Sequence, residues 1–142
     1  MKKITLIYSV LMLTAFFGFN HLQAQDDKQM IGEEAPGFAL KNIDGNMISL
    51  TDYAESGDVK GAIVIFTCNH CPYSKLYEDR IVALDAKYKP MGYPVIAINP
   101  NDPAAYPEDD FANKQKRAKE KGFTLPYLLD ESQEIGQAYK AA

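Results

Sequence analysis

Apolar and polar positions fall in blocks that predict strands and helices in turn. Residues 38–43 and 46–50 flank Asp44-Gly45, a pair suited to the positive φ angles of a tight turn, so they read as a β-hairpin. Residues 51–53 open a short helical or turn segment. Gly61-Ala-Ile-Val-Ile-Phe66 is a continuous apolar run of strand length, and its β-branched residues suit a strand covered on both faces. Residues 71–89 predict a helix, because Tyr77, Ile81, Leu84 and Tyr88 recur at steps of four, three and four and so share one face. Pro90 and Gly92 stop it.

A second buried strand follows at residues 94–99, then a loop at 100–110 crowded with proline, asparagine and acids. Residues 111–121 predict a charged helix ended by Gly122. Residues 125–130 read as a third strand, which Pro126 places at a sheet edge. Residues 132–139 start a last helix with Ser132 as its cap. Strands alternating with helices of this length predict a mainly parallel central sheet with helices on its faces and an N-terminal hairpin, an α/β fold.

The first 24 residues stand apart from this pattern. Lys2 and Lys3 precede an uncharged, mostly apolar stretch at residues 4–19, and Ala24 gives a small-residue exit before Gln25-Asp26-Asp27. That order reads as a secretory signal peptide at residues 1–24, with a domain at residues 25–142. The apolar stretch is shorter than the roughly 20 residues of a membrane-crossing helix. The expected location is periplasmic or secreted, where disulfides persist, with no stable membrane insertion after cleavage.

Composition narrows the function. The 142 residues are 46% hydrophobic and 24% charged, ordinary for one globular domain. Fifteen basic residues against 19 acidic ones give a net charge of −4. That sign excludes the clustered positive charge of a nucleic-acid binder. The run Lys114-Gln-Lys-Arg-Ala-Lys-Glu-Lys121 reads as a solvated helix face. Asn99, Asn101, Asp102, Glu108, Asp109 and Asp110 lack the spacing and turn glycine of a calcium loop and read as a solvated loop.

Chemistry concentrates at Thr67-Cys68-Asn69-His70-Cys71-Pro72-Tyr73. Both cysteines lie there, and His70 is the one histidine beyond residue 24. The motif sits between a buried strand and the start of a helix, whose first turn offers unpaired N–H groups and partial positive charge. Cys68 is expected at the helix mouth with those groups aimed at its sulfur, and Cys71 on the same face, close enough to pair. Such surroundings bring a thiol pKa from about 8.5 to roughly 3.5–7.5, and a stabilised thiolate makes the disulfide a stronger oxidant. His70, when protonated, adds a cation beside the sulfur. The candidate catalytic residues are therefore Cys68, Cys71 and His70, with a redox-active disulfide in place of any cofactor. A closed zinc site needs four ligands, and only Cys68, His70 and Cys71 are on offer. A purely structural disulfide would close too small a loop to restrain the chain.

Gly32-Glu-Glu-Ala-Pro-Gly-Phe-Ala-Leu, Asp44-Gly45 and Ile48-Ser-Leu50 resemble the opening of the AhpC/TSA (redoxin) branch of the thioredoxin-like superfamily. The strand running into Cys68-Asn-His-Cys71-Pro72-Tyr73 resembles a subgroup carrying that motif, and Asn99-Pro-Asn-Asp102 and residues 125–130 also fit. The resemblance covers nearly all of residues 31–139. It implies a thioredoxin-like fold and a thiol–disulfide oxidoreductase that exchanges disulfides with protein thiols and a redox partner, Cys68 being the nucleophile and Cys71 the resolving thiol. The alternatives are a peroxiredoxin-like thiol peroxidase and an inactive fragment or binding module. Peroxiredoxins place Pro and Thr seven and three residues before the peroxidatic cysteine; neither Cys68 nor Cys71 has them. The family also continues beyond the helix near Tyr139 with further strands and a helix. The expectation is a C-terminally truncated domain with residues 63–66 at an open edge.

Overall fold

The computed structural model describes residues 31–141; the expected signal peptide lies outside them. The hairpin strands are β1 (Ala39–Asn42) and β2 (Met47–Ser49). The Asn42 carbonyl accepts from Gly45 N at 2.9 Å, and Asn42 N donates to the Asn46 carbonyl at 2.8 Å. Gly45 alone takes a positive φ, +90°, so the connection is a turn closed by one left-handed residue, not the doubly left-handed turn expected of Asp-Gly. Asp44 Oδ1 accepts from Asn46 N at 2.8 Å and holds the loop.

Helix α1 (Leu50–Glu55) follows at once because Ser49 and Asp52 form a capping box, each side chain accepting from the other's backbone N–H at 3.1 Å. Strand β3 (Ile63–Phe66) leads through the cysteine motif into α2 (Pro72–Tyr88). A short 3-10 turn (Lys89–Met91) then precedes β4 (Val95–Asn99). Another 3-10 turn (Pro107–Asp109) precedes α3 (Phe111–Lys121), which ends as expected on left-handed Gly122. Strand β5 (Tyr127–Leu129) and helix α4 (Glu134–Ala138) complete the described elements. Ser132 does not cap α4; left-handed Gln133 occupies that position, and Ser132 Oγ accepts from Glu134 N at 3.3 Å.

The sheet order is β2-β1-β5-β4-β3, with β3, β4 and β5 parallel and β1 antiparallel to both β2 and β5. The α/β expectation holds, and β3 forms one sheet edge. Residues 125–130 do not lie at an edge as expected, since β5 is central. Pro126 precedes the strand, where its missing N–H costs no ladder bond and its carbonyl accepts from Ala97 N at 2.9 Å. Along β4 the side chains alternate between two cores. Val95 and Ala97 join Ile81, Ala118, Leu125 and Tyr127, while Ile96 and Ile98 join Phe38 and Leu128. Every β4 residue is buried, as a strand covered on both faces requires; β3, at the edge, is only partly covered.

Helix α2 docks differently from its apolar pattern. Tyr77 is exposed, and the buried residues are Glu78, Ile81 and Asp85. Both acids are satisfied. Asp85 Oδ1 accepts from Val95 N at 3.0 Å, fixing the helix to the start of β4. Glu78 receives two bonds from Arg117 of α3, at 2.7 and 2.6 Å. The basic run is thus not wholly solvated. Lys114 is 1% exposed, and Arg117 clamps α3 to α2. Arg117→Ala leaves a buried carboxylate whose one remaining ion-pair partner among the described residues is Lys121. Urea unfolding is expected to show a loss of about 3 kcal/mol, whereas a change under about 0.5 kcal/mol would assign the clamp no structural weight.

Candidate functional site

The cysteine motif crosses from the C-terminal end of β3 to the N-terminus of α2, on the side of the sheet where parallel strands open towards their following loops. Thr67 N donates to the Ile98 carbonyl at 2.9 Å and keeps the chain in register to the threshold of the motif. Cys71 is the residue capping α2, with Pro72 in the first turn, where a missing N–H is harmless. Both cysteines are unjoined thiols, each partly buried.

The helix mouth belongs to Cys71 rather than Cys68, a correction to the expected placement. The Ser74 backbone N–H holds the Cys71 thiol below its ordinary pKa against the opposing effect of desolvation, and the Tyr73 N–H, the Ser74 hydroxyl and the Cys68 thiol add to the lowering. Cys68 sits three residues earlier, its Sγ 3.5 Å from Ser74 Oγ. The physical reason is where the helix starts: Asn69 and His70 are drawn away by tertiary partners, so helical backbone begins only at Pro72.

Those partners meet at Asp109, which is wholly buried. Its Oδ1 accepts from Asn69 N at 2.6 Å and Asn99 Nδ2 at 2.8 Å. Its Oδ2 lies 2.8 Å from His70 Nδ1 and accepts from Asn101 Nδ2 at 2.9 Å. Asn69 Nδ2 reaches the Glu108 carbonyl at 3.0 Å. Tyr127 closes the ring beneath, donating to Asn69 Oδ1 at 3.0 Å and accepting from Asn99 Nδ2 at 3.1 Å. Burial pushes the Tyr127 phenol well above its ordinary pKa, so it stays a donor. Among the described residues no buried side-chain polar atom lacks a partner.

Asp102 and Glu108 of the Asn/Asp cluster are exposed as expected, but Asn99 and Asp109 are buried, so that part of the loop is one wall of the site. Asp110, the next residue, caps α3 by accepting from Asn113 N at 2.7 Å, and this fixes the turn that aims Asp109 inward. Tyr106 stacks on His70 with ring centroids 4.2 Å apart and planes within 16°. Buried Lys114 is another residue missed by reading its run as wet; burial lowers its pKa, opposed by the nearby charges of Asp109, Glu131 and Asp110. A signal for Asp109 was available: a loop after the buried strand β4 must face the loop after its neighbour β3.

Cys68, His70 and Asp109 bring one ligand-type atom each within 4.8 Å of one another. Each Asp109 oxygen already has two nitrogen partners, which a metal ion would have to displace. The motif also borders an apolar groove of roughly 420 Å³ along the β3 edge, lined by Ile65, Phe66, Tyr73, Tyr77 and Leu84 among others.

Burial raises the Asp109 pKa, but the hydrogen bonds from Asn101, Asn69, Asn99 and His70 outweigh it, so its carboxyl titrates below the ordinary range. A depressed native pKa contributes stability that is present above the unfolded value, about 3.9, and lost as pH falls through the native one. The stability difference between the native chain and Asp109→Asn, measured by urea unfolding, is expected to be largest near neutrality and to shrink in acid below that range. A difference that stays constant with pH would contradict an ionised Asp109.

Comparison with known proteins agrees with this architecture. Thiol-disulfide oxidoreductase ResA of Bacillus cereus is 29% identical, over 98% of this chain and 78% of that protein; the Bacillus anthracis protein of the same name is 30% identical over the same shares. The solved structure of an uncharacterized conserved protein from Geobacillus kaustophilus is 44% identical with a TM-score of 0.71, covering 77% of this chain and 57% of that one. The chain thus spans little more than half the length of that structure. A thiol:disulfide interchange protein of the thioredoxin family from Chlorobium tepidum, 20% identical with a TM-score of 0.60 over 75% of this chain and 66% of that one, shares the fold. The fold is thioredoxin-like, and with residues 31–142 matching throughout, the chain belongs to the AhpC/TSA family.

Proposed function

We propose that the protein is a thiol–disulfide oxidoreductase that exchanges disulfides with protein thiols through Cys68 and Cys71. The observation that carries this reading is a pair of thiols at a strand-to-helix junction, with the thiol pKa of Cys71 lowered by helix-start amides. The names of the ResA relatives and family membership support it. Cys68 is the attacking sulfur and Cys71 the resolving one. A thiolate favoured at Cys71 is poised for the second step, because exchange requires the anion. His70 supplies positive charge near Cys68 when protonated. No metal or organic cofactor enters the reaction. The exposed Tyr73, Leu76 and Tyr77 beside the motif suit a protein-borne substrate and a redox partner protein.

The proposed setting is outside the cytoplasm, periplasmic or secreted, after removal of residues 1–24. Among the described residues no helix is long and apolar enough to cross a membrane.

Trapping assigns the two sulfurs. Cys71→Ser is expected to accumulate a mixed disulfide with a disulfide-bearing protein substrate, and Cys68→Ser to form none. The reverse pattern would make Cys71 the attacking thiol, and trapping in neither variant, with no exchange by the unmodified chain, would overturn the reading.

A further inference from the structure

A wholly buried aspartate is directed at His70 and takes no part in the exchange of sulfurs itself. Asp109 makes contacts to three asparagines that orient it, yet one of its oxygens is shared with a ring nitrogen of a partly exposed histidine. An ionised carboxylate only accepts hydrogen bonds, and this one is held ionised by its partners. The Nδ1 atom facing it at 2.8 Å must therefore carry the proton. Asn101 Nδ2 also lies 3.1 Å from Nδ1, but both are donors converging on Asp109 Oδ2. A bare Nδ1 would set its lone pair against a carboxylate. Fixing Nδ1–H leaves Nε2 as the basic nitrogen, and stacking on Tyr106 sets the ring plane.

We propose that Asp109 is a positioning residue that locks His70 as the Nδ1–H tautomer, so that Nε2 serves as the proton acceptor and donor for Cys68. The proposal rests on the thiol–disulfide reading of the site and names the group that moves its protons. Cys68 Sγ lies within 4.8 Å of a ring nitrogen of His70, which puts the ring beside the sulfur, and one bridging water can carry the proton between Sγ and Nε2. In the reductive direction Nε2 takes the Cys68 thiol proton. The thiolate attacks a substrate disulfide, forming a bond to one substrate sulfur and breaking the substrate S–S bond. The departing sulfur takes the proton back from Nε2. Cys71, as thiolate, then attacks Cys68 Sγ and releases the second substrate thiolate, which picks up the proton that Cys71 gave to solvent. Two electrons pass from the protein dithiol to the substrate, leaving a Cys68–Cys71 disulfide and two substrate thiols.

This arrangement separates two jobs in the same loop. Asn69, Asn99 and Asn101 hold Asp109, and Asp109 holds His70. Only the last contact bears on the sulfur's proton, so a variant that removes the charge while keeping the shape tests it.

The decisive readout is nitrogen-15 NMR of histidine-labelled, reduced, otherwise unmodified chain at mildly alkaline pH, with His70→Ala assigning the resonances. The expected spectrum has a protonated Nδ1 and a bare Nε2. A protonated Nε2 with a bare Nδ1, or a fast-exchanging tautomer mixture, would overturn the proposal without any substitution at Asp109. The second readout is Cys68 alkylation by iodoacetamide at neutral pH in the Cys71→Ser background. His70→Ala and Asp109→Asn are each expected to slow it by about tenfold or more, and the two together no further than about twofold beyond either one. Effects that multiply would make Asp109 a structural residue only. Mixed-disulfide trapping by Cys71→Ser is scored alongside: trapping with the wrong tautomer defeats this proposal alone, and absent trapping defeats the underlying reading.

Discussion

A single buried carboxylate organises the reactive end of this molecule. Asp109 has no solvent to stabilise its charge; instead four nitrogens converge on it from the β3–α2 junction, the end of β4 and the loop that follows. A buried charge left unpaired costs several kcal/mol, which makes the arrangement cooperative: each donor is held in place by the penalty of losing it. The consequence for the motif is direct. Asn69 and His70 are pulled towards Asp109, the helix cannot begin before Pro72, and Cys71 rather than Cys68 receives the amides of the first turn.

The rest of the fold supplies rigidity to that end. Strand β4 is covered on both faces and delivers Asn99 to the floor of the network. Strand β5, central in the sheet, delivers Tyr127 from below. Helix α2 carries Cys71 and Ser74 at its start and is fixed along its length by two buried acids, Asp85 to the β4 backbone and Glu78 to Arg117 of α3. Asp110 caps α3 immediately beside Asp109, so the helix that clamps α2 also aims the carboxylate. Charged contacts, more than apolar ones, decide where the motif sits relative to its neighbours.

Much of this was legible in the chain. The hairpin, the β3 run, the helix after the motif, α3 with Gly122 behind it, and the sheet with a covered β4 all followed from periodicity and stop signals. The misses among polar residues share one cause: an apolar pattern carries no sign of a polar side chain that is buried with a partner. Glu78, Asp85, Lys114, Asn99 and Asp109 are all buried, and periodicity counts apolar positions only, so it saw Tyr77 where the helix in fact buries Glu78. Pro126 misled in a related way, since its exclusion from central strands applies to positions that must donate, and it stands just before the strand. The reactive motif itself was found because cysteine spacing at a strand-to-helix junction has local meaning. Its hub, forty residues away in sequence from Asn69, has none.

The most direct measurement of the Asp109 network is the proton NMR signal of the Asn69 backbone amide. A 2.6 Å bond to a buried carboxylate is short and charge-assisted, so the expected signal lies far downfield, exchanges slowly with solvent, and moves only when acid protonates Asp109 below the ordinary aspartate range. An Asn69 amide at an unexceptional position, exchanging quickly and indifferent to acid, would contradict a carboxylate held at the centre of the site.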